Sequence, residues 1–206
     1  ARHVDRSEIA DRIVAECSSI RLEPLVAYRR GRRWLRRFER HGLPPAMQGS
    51  WPIKRDAVIL ITGGIGGLGI VLARVLAERR PCRFVLTSRR GLPPREQWDA
   101  WIARPPNDGR DIEAMRAIQL IERAGSEVMV AAADASDEAG MQAAIEAATD
   151  RWGGIDVVVH AAGIAGAGRL GALKTDEDLE AVCRPKVEGL RVLTRLLGDR
   201  ALSAVV

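Results

Sequence analysis

Short apolar runs alternate with amphipathic segments along most of the chain. The apolar runs occupy residues 57–62, 83–88, 127–132, 155–160 and 201–206. Between them, apolar positions recur at helical spacing over residues 67–79, 113–124, 138–152 and 176–197. The last of these segments predicts one helix or two helices interrupted near Pro185. Strand, helix and strand in succession form a βαβ unit, and apolar strands without strict alternation indicate a parallel sheet covered on both faces.

The first forty residues have a different pattern. Residues 6–17 have helical periodicity, and their apolar side chains are Ile9, Ile13 and Val14. The runs 25–28 and 34–35 then flank a short segment that contains Gly31, which predicts two strands joined by a tight turn. Three aromatic side chains of this hairpin are expected to pack inward: Tyr28, Trp34 and Phe38.

Arginines are concentrated in the same hairpin. They supply much of the formal net charge of +5, and they are Arg29, Arg30, Arg32, Arg33, Arg36, Arg37 and Arg40. Such a charge permits nucleic-acid binding, but charge bears on solubility and association before it bears on function. We favour a solvated outer face of the hairpin and expect no nucleic-acid partner.

Prolines and glycines divide the chain into parts. Residues 42–56 are rich in Pro, Gly and polar residues, which indicates a linker. We assign residues 1–45 to a small helix-plus-hairpin part, 46–56 to the linker and 57–206 to the α/β domain. Residues 90–111 are too many for an ordinary loop, so they should form a short helix that packs through Trp98 and Trp101.

Several function classes are excluded by simple features of the sequence. No apolar run reaches the roughly 18 residues that a membrane span requires. Cys17, Cys82 and Cys183 are odd in number and widely spaced, which indicates reduced thiols rather than disulfides or a metal site. The N-terminus has neither an apolar signal segment nor an initiating Met. We expect a cytoplasmic chain, with no membrane or metal association, that begins inside a longer polypeptide.

A glycine cluster joins the first strand of the α/β domain to its helix. It consists of Thr62, Gly63, Gly64, Ile65, Gly66, Gly67, Leu68 and Gly69. The glycines fit three registers: G-x-G-x-x-G, T-G-x-x-x-G-x-G and T-G-x-x-G-x-x-G. Glycines at such a place permit positive φ angles and let a pyrophosphate approach the backbone at the helix N-terminus. A P-loop is excluded, because no Lys-Ser or Lys-Thr follows the last glycine.

The end of the second strand bears on the choice between NADH and NADPH. Ser88, Arg89 and Arg90 lie there, with no carboxylate to bind the free ribose of NADH. The planar guanidinium of Arg89 is suited to the 2′-phosphate of NADPH. The sequence therefore favours NADPH, although both arginines could also be ordinary surface residues that follow a strand.

Two further strand ends fit a dinucleotide site. Asp134 and Ala135 follow the third strand, where the carboxylate could bind the adenine amino group or, equally, cap the next helix. The fourth strand ends in small residues against which a ribose could lie: His160, Ala161, Ala162 and Gly163. We expect His160 to pack at the strand end rather than act as a base, since no partner carboxylate is evident.

Together these residues resemble the short-chain dehydrogenase/reductase superfamily, and more narrowly the ketoreductase domains of modular polyketide synthases. The segments VLTSRRGLPPREQWDAW, HAAG and RPKVEG carry the narrower resemblance. The hairpin LVAYRRGRRW is similar to the end of the structural subdomain that precedes the catalytic one in these synthases. The resemblance implies a Rossmann-like doubly wound parallel sheet, truncated after the start of its fifth strand and preceded by a small structural-subdomain remnant.

The resemblance also implies a reaction. NADPH would reduce the β-keto group of an acyl chain held on the phosphopantetheine of an acyl carrier protein, within a synthase that has other domains. The family's catalytic set is a proton-donating tyrosine, a carbonyl-binding serine, a lysine and an asparagine. Its P-K-V-x-G context places the lysine at Lys186, where a cation could lower the pKa of the tyrosine. The resemblance also favours the register T-G-x-x-x-G-x-G for the glycine cluster. In this register Gly63, Gly67 and Gly69 shape the pyrophosphate turn, and Gly64 and Gly66 ease close approach of the cofactor.

The chain departs from the family pattern at its end. The family's serine and tyrosine follow the strand that begins near residue 201, and the single tyrosine here is Tyr28 of the hairpin. We therefore expect this chain alone to bind the cofactor at best partially and not to turn over. The alternatives are a non-catalytic scaffold or carrier-docking module, and a nucleic-acid-binding protein that uses the arginine hairpin.

Overall fold

A computed structural model describes residues 6–19, 23–39, 53–103, 109–164 and 174–206. The chain divides into two compact units, with the boundary between Gly49 and Ser50. Most of the expected linker, residues 46–52, lies outside the described residues. Within those described ranges, no helix combines the length and the apolar character that a membrane crossing needs.

The first unit consists of a helix and a two-stranded hairpin. Its elements are α1 (Arg6–Cys17), β1 (Val26–Arg29) and β2 (Arg32–Leu35). The strands pair antiparallel, and the two turn residues, Arg30 and Gly31, have φ angles of 51° and 75°. Positive φ at both central positions is what a type I′ turn requires, and such turns match the twist of the strands they join. The helix and the hairpin that the sequence predicts are both present.

One carboxylate joins the helix to both strands. Glu16 of α1 accepts hydrogen bonds from the Tyr28 hydroxyl at 2.5 Å and from Nε and Nη2 of Arg33 at 2.6 and 2.7 Å. The Arg33 hydrogen bonds and then the Tyr28 hydroxyl lower the pKa of Glu16 from 4.5 to about 2. Arg33 is therefore held by the unit itself and does not belong to a free cationic face.

The expected inward packing of the hairpin aromatics is wrong. Trp34 is 54% exposed, Phe38 is 87% exposed and Tyr28 is 36% exposed, although the Tyr28 hydroxyl donates to Glu16. Trp34 is paired with Ala27, so the pleat directs it to the face opposite Tyr28 and Arg33. Tyr28 and Trp34 therefore lie on opposite faces of the hairpin, and one face alone cannot bury both.

The second unit is a parallel sheet with helices on both faces. Its elements are β3 (Val58–Thr62), α2 (Gly67–Arg79), β4 (Arg83–Ser88), α3 (Trp98–Ala103), α4 (Arg110–Arg123), β5 (Glu127–Ala132), α5 (Glu138–Trp152), β6 (Val157–His160), α6 (Asp176–Leu197) and β7 (Ala204–Val205). The five strands lie in the order β5-β4-β3-β6-β7, and every neighbouring pair is parallel. The chain thus starts at the centre, runs to one edge, and returns to build the other half. The expected doubly wound, Rossmann-like fold is confirmed.

Burial on both faces explains why the central strands read as continuous apolar runs. All five residues of β3 are buried. Ile59 and Ile61 face a cluster that includes residues of α2 and α4, whereas Val58 and Leu60 face a cluster that includes residues of α5 and α6. Each face therefore has its own apolar core, and the sheet forms the layer between them.

The segment after β4 forms its own short helix, as the sequence indicates. Trp98 at the start of α3 is 4% exposed, and its indole N–H donates to the carbonyl oxygen of Pro93 at 2.9 Å. The Arg95 guanidinium stacks over the same ring, 3.9 Å from its centroid. Trp101 packs at the edge of this core. The tryptophans thus fix a segment that has little other apolar content.

Helix α6 is continuous through Pro185. It begins in a capping box, in which Thr175 and Asp178 each accept a hydrogen bond from the other's backbone N–H at 3.2 Å. Of the two possibilities left by the sequence, one helix is therefore correct.

Candidate cofactor site

The site lies where the strand order of the sheet reverses. Strands β3 and β6 are neighbours, and the connections that leave them run to opposite halves of the sheet. In open α/β sheets this arrangement opens a crevice outside the carboxyl ends of the two strands. Thr62 ends β3 and His160 ends β6, and the two residues are paired across the strands.

Thr62 connects the end of β3 to the loop after β6. Its side chain is fully buried, and its Oγ1 accepts a hydrogen bond from the Ala162 N–H at 3.2 Å. The same oxygen lies 2.7 Å from Nδ1 of His160. This gives His160 a packed position with a polar contact, in keeping with the expected strand-end role. The residues between His160 and Gly163 are thereby held beside the glycine loop.

Three glycines of the loop are required by the packing of the chain itself. Gly63 has a φ of 67°, and a Cβ there would lie 3.0 Å from the Ala161 carbonyl oxygen. A Cβ on Gly64 would lie 2.9 Å from Cα of Leu86 in β4, and one on Gly69 would lie 2.5 Å from the Gly63 carbonyl oxygen. These contacts are with backbone atoms, which cannot move aside as the end of a side chain can.

Gly67 differs from these three because it faces open space. A Cβ on Gly67 would meet no atom within 4 Å, and one on Gly66 would lie 3.1 Å from the Gly63 carbonyl oxygen. The expected division of roles is therefore changed: Gly64 packs against β4, and Gly67 borders the space in front of α2. A small residue at Gly67 suits the approach of a ligand, since packing within the chain does not demand it.

The N-terminus of α2 is the exposed end of a helix dipole. Gly66 is its N-cap, no side chain caps it, and its first turn has no acidic residue. By contrast, Asp137 caps α5 and Thr175 caps α6. The first N–H groups of a helix have no intrahelical acceptor, so at α2 they are available to an anion. The Ile65 and Leu68 side chains flank this turn, and Leu68 is 75% exposed.

The two candidate arginines that follow β4 have different surroundings. Ser88 Oγ accepts the N–H of Gly91 at 3.0 Å, and this closes a turn that contains Arg89 and Arg90. Arg90 lies 3.8 Å from the Asp111 carboxylate. Arg89 is exposed and has no ion-pair partner in the described part of the chain. Arg89 is thus the better placed of the two to bind a phosphate.

Asp134 is held in a local turn at the end of β5. Its Oδ1 accepts the N–H of Ser136 at 2.9 Å and the Ser136 hydroxyl at 2.7 Å. Partial burial raises the pKa of Asp134, but the Ser136 hydrogen bonds and the positive charges of Arg184 and Arg89 lower it by more. The net pKa is therefore below its ordinary value, and the carboxylate stays ionised. The cap of α5 is Asp137, not Asp134. Ala135, next to it, is buried.

Lys186 reaches the same end of the sheet from α6. A Cβ on Gly163 would lie 3.3 Å from Cε of Lys186, so the lysine stem runs beside the loop after β6. One turn later, a Cβ on Gly189 would lie 2.9 Å from Cε1 of His160 and 3.2 Å from Cβ of Ala135. The structure thus brings Lys186, Gly163 and His160 together across α6 and β6.

Gly189 was not among the candidate site residues. It lies inside a helix, where glycine is about 1 kcal/mol less favourable than alanine. That unfavourable choice is the signal that could have identified it, since a glycine inside a helix often marks a close approach. Its role depends on two residues far away in sequence, His160 and Ala135, and no local pattern names them.

A comparison with known protein families identifies the family of this chain. The family model described as KR domain matches residues 57–206. Over 98% of its length the chain is 31% identical to polyketide synthase PksL of Bacillus subtilis (strain 168), of which it covers 5%. Over 78% of its length it is 35% identical to 6-methylsalicylic acid synthase of Aspergillus terreus, of which it covers 9%. The chain thus spans less than a tenth of the length of these two synthases.

Solved structures give the same result. The chain is similar to the ketoreductase from the first module of phoslactomycin biosynthesis in Streptomyces sp. HK803, with 34% identity, a TM-score of 0.65, and coverage of 89% of this chain and 38% of that one. The chain is also similar to an A1-type ketoreductase, with 28% identity and a TM-score of 0.67. That match covers 98% of this chain and 38% of the other. A short chain dehydrogenase from Mycobacterium paratuberculosis bound to NAD shares the fold at 22% identity and a TM-score of 0.55, over 71% of this chain and 51% of that one. The chain belongs to the ketoreductase domains of modular polyketide synthases, within the short-chain dehydrogenase/reductase superfamily.

Proposed function

We propose that this chain contributes the NADPH-binding part of a ketoreductase that reduces the β-keto group of a polyketide intermediate to a β-hydroxyl. The intermediate is carried on the phosphopantetheine of an acyl carrier protein, and other synthase domains are the remaining partners. The observation that carries the proposal is the uncapped N-terminus of α2, which opens behind Gly67 at the switch point of the sheet. Three free cysteines, Cys17, Cys82 and Cys183, are in keeping with a cytoplasmic synthase.

The residues of the crevice fit the parts of a dinucleotide. The first N–H groups of α2, after Gly66 and Gly67, suit the pyrophosphate. Arg89 suits the 2′-phosphate, because a guanidinium forms two parallel hydrogen bonds with a phosphate group. Asp134 has Oδ1 engaged by Ser136, which leaves Oδ2 for the adenine amino group. When bound, the nicotinamide supplies the hydride.

Lys186 has an electrostatic role in this proposal. Its stem lies beside Gly163, and its ammonium group is exposed at the carboxyl end of the sheet. A cation at this place favours the ionised form of a nearby acid, so it would assist the tyrosine from which the family's reaction takes its proton. Lys186 would also donate to a ribose hydroxyl, which orients the cofactor.

The cofactor assignment is tested by the substitution Arg89→Ala. We expect the Kd for NADPH to rise about tenfold or more, because a charged hydrogen bond to phosphate contributes roughly 1.5–3 kcal/mol. The Kd for NADH should not change. Isothermal titration calorimetry measures both, and Arg116→Ala on α4 is the matched control, since Arg116 is also an exposed arginine. Equal loss of NADPH and NADH affinity would show that Arg89 does not bind the 2′-phosphate.

The reaction is tested with the synthase polypeptide that contains this chain. A β-ketoacyl thioester on the carrier protein should be reduced as NADPH absorbance falls, and Lys186→Ala should lower kcat by about a hundredfold while the Kd for NADPH rises less. Cofactor binding without any reduction would favour the scaffold or carrier-docking alternative. No cofactor binding at all would refute the proposed function.

A further inference from the structure

Three polar side chains form a row at the carboxyl end of the sheet. Thr62 and His160 end β3 and β6, and Thr87 is the next-to-last residue of β4. The register pairs Thr62 with each of the other two. Paired residues of parallel strands point to the same face, here the one that packs against α5 and α6. Thr62 and Thr87 are both fully buried. Thr62 Oγ1 lies 2.7 Å from Nδ1 of His160, whereas Thr87 Oγ1 has no hydrogen-bond partner among the described residues.

The Thr62 hydroxyl and the two ring nitrogens of His160 have different partners. Thr62 Oγ1 accepts the N–H of Ala162 and makes a second hydrogen bond with Nδ1 of His160, which lies 2.7 Å away. The other ring nitrogen, Nε2, is buried and has no hydrogen-bond partner in the described ranges. One nitrogen of His160 thus bonds to β3, and the other side of the ring faces α6.

The ring edge of His160 sets how closely α6 approaches the sheet. Gly189 has no side chain, and a Cβ there would lie only 2.9 Å from Cε1 and 3.3 Å from Nε2 of His160. The imidazole therefore packs directly on the helix backbone. Lys186 is three residues earlier on the same continuous helix, with its stem beside Gly163. A change in the depth of α6 would thus move the ammonium group of Lys186.

We propose that His160 is a positioning residue with two separable effects on the cofactor site. Through Nδ1 it orients the Thr62 hydroxyl, which holds the loop after β6 against the glycine loop and so sets cofactor affinity. Through its ring edge it spaces α6, which places Lys186 and so sets the rate of the reaction. The proposal rests on the proposed function for its second effect only, because the first concerns cofactor binding alone.

Two substitutions separate the effects. Thr62→Val removes the hydroxyl but leaves the ring, so the partly buried N–H of Ala162 loses its acceptor. The Kd for NADPH should then rise about fivefold or more, while kcat at saturating NADPH changes little. His160→Asn retains a hydrogen-bonding amide near the position of Nδ1 but removes the ring edge. Its Kd should stay close to that of the unsubstituted protein, while kcat falls about tenfold or more, because small displacements of a reacting group are costly.

Thr87→Val is the matched control. It makes the same change of side chain, at a fully buried position in the same row, but Thr87 Oγ1 has no partner to lose within the described residues. Its Kd and kcat should match those of the unsubstituted protein. Thr62→Ser retains the hydroxyl and should restore the Kd, and it keeps the test available if Thr62→Val does not fold. Thermal unfolding of each variant reports folding separately.

The measurements use the synthase polypeptide, with NADPH titrated by calorimetry and reduction followed by absorbance. An equal rise in Kd for Thr62→Val and Thr87→Val would overturn the first effect. A kcat for His160→Asn as high as that for Thr87→Val would overturn the second. If the unsubstituted polypeptide binds NADPH but reduces nothing, the proposed function fails, and the comparison of Kd values still decides the first effect.

Discussion

Gly67 and Gly69 are two positions apart in the same loop but meet different surroundings. A Cβ on Gly69 would lie 2.5 Å from one backbone oxygen and 2.8 Å from Cα of Gly64, whereas a Cβ on Gly67 would meet nothing within 4 Å. Gly69 is thus required by the fold, whereas the lack of a side chain at Gly67 keeps the space in front of α2 open. Motif matching treats both as equal members of one pattern.

This difference predicts opposite effects of alanine at the two sites. Gly69→Ala should lower the free energy of unfolding by about 3 kcal/mol, because the added methyl group meets fixed backbone atoms. Gly67→Ala should leave stability unchanged or raise it by up to about 1 kcal/mol through helix propensity, while it weakens NADPH binding. Urea unfolding and cofactor titration measure the two quantities. Equal stability losses would mean that Gly67 is also packed.

At the scale of elements, α6 is the helix that connects the candidate residues. Pro185, Lys186 and Gly189 lie in one continuous helix, which contacts Gly163 through the lysine stem and His160 through the glycine. Because Lys186 and Gly189 lie one turn apart on this helix, a contact at one residue affects the position of the other.

The substitution Gly189→Ala tests how tightly α6 packs. Alanine gains about 1 kcal/mol of helix propensity, but overpacking against His160 and Ala135 costs roughly 1–3 kcal/mol. We expect a net loss of stability, seen as a lower Tm, with a fall in kcat. Leu190→Ala is the control, since Leu190 is the next residue on α6 and is 50% exposed. A Tm for Gly189→Ala above that of Leu190→Ala would show that α6 has room to accept a side chain.

The sequence predicts the elements well and the contacts between them poorly. Periodicity identifies the strands and helices of the second unit and the hairpin of the first, because these depend on neighbours within a few residues. It does not distinguish Gly64 from Gly67, nor does it reveal the contact between Thr62 and His160, which are 98 residues apart. The exposure of Trp34 is missed for a similar reason, since it depends on which face of the hairpin α1 covers.

At the scale of the whole molecule, acid should affect the first unit through the Glu16 carboxylate. The pKa of Glu16 falls from 4.5 to about 2 in the folded state, because of Arg33 and then Tyr28. A carboxylate with a depressed folded pKa stabilises the fold above its unfolded pKa, and this stabilisation is lost as pH falls towards the folded value. The loss should therefore occur between about pH 4.5 and pH 2.

Tyr28 provides a selective probe of this loss. It is the single tyrosine of the chain and donates to Glu16, so one fluorotyrosine resonance reports on the first unit alone. In Glu16→Gln the resonance should already have its low-pH shift at neutral pH and should show no transition in that window. Glu8→Gln on the same helix is the control, and it should retain the transition. A transition that persists in Glu16→Gln would assign it to another group.

The central position of β3 also determines how the backbone exchanges its amide protons with solvent. Val58–Thr62 has a strand on either side and a helical layer over each face, and all five residues are buried. Its amides can therefore exchange only when the sheet itself opens, whereas β7 at the edge needs only local fraying. In deuterated water, β3 should be the last segment of the chain to acquire mass, so that its exchange rate measures the stability of the whole second unit.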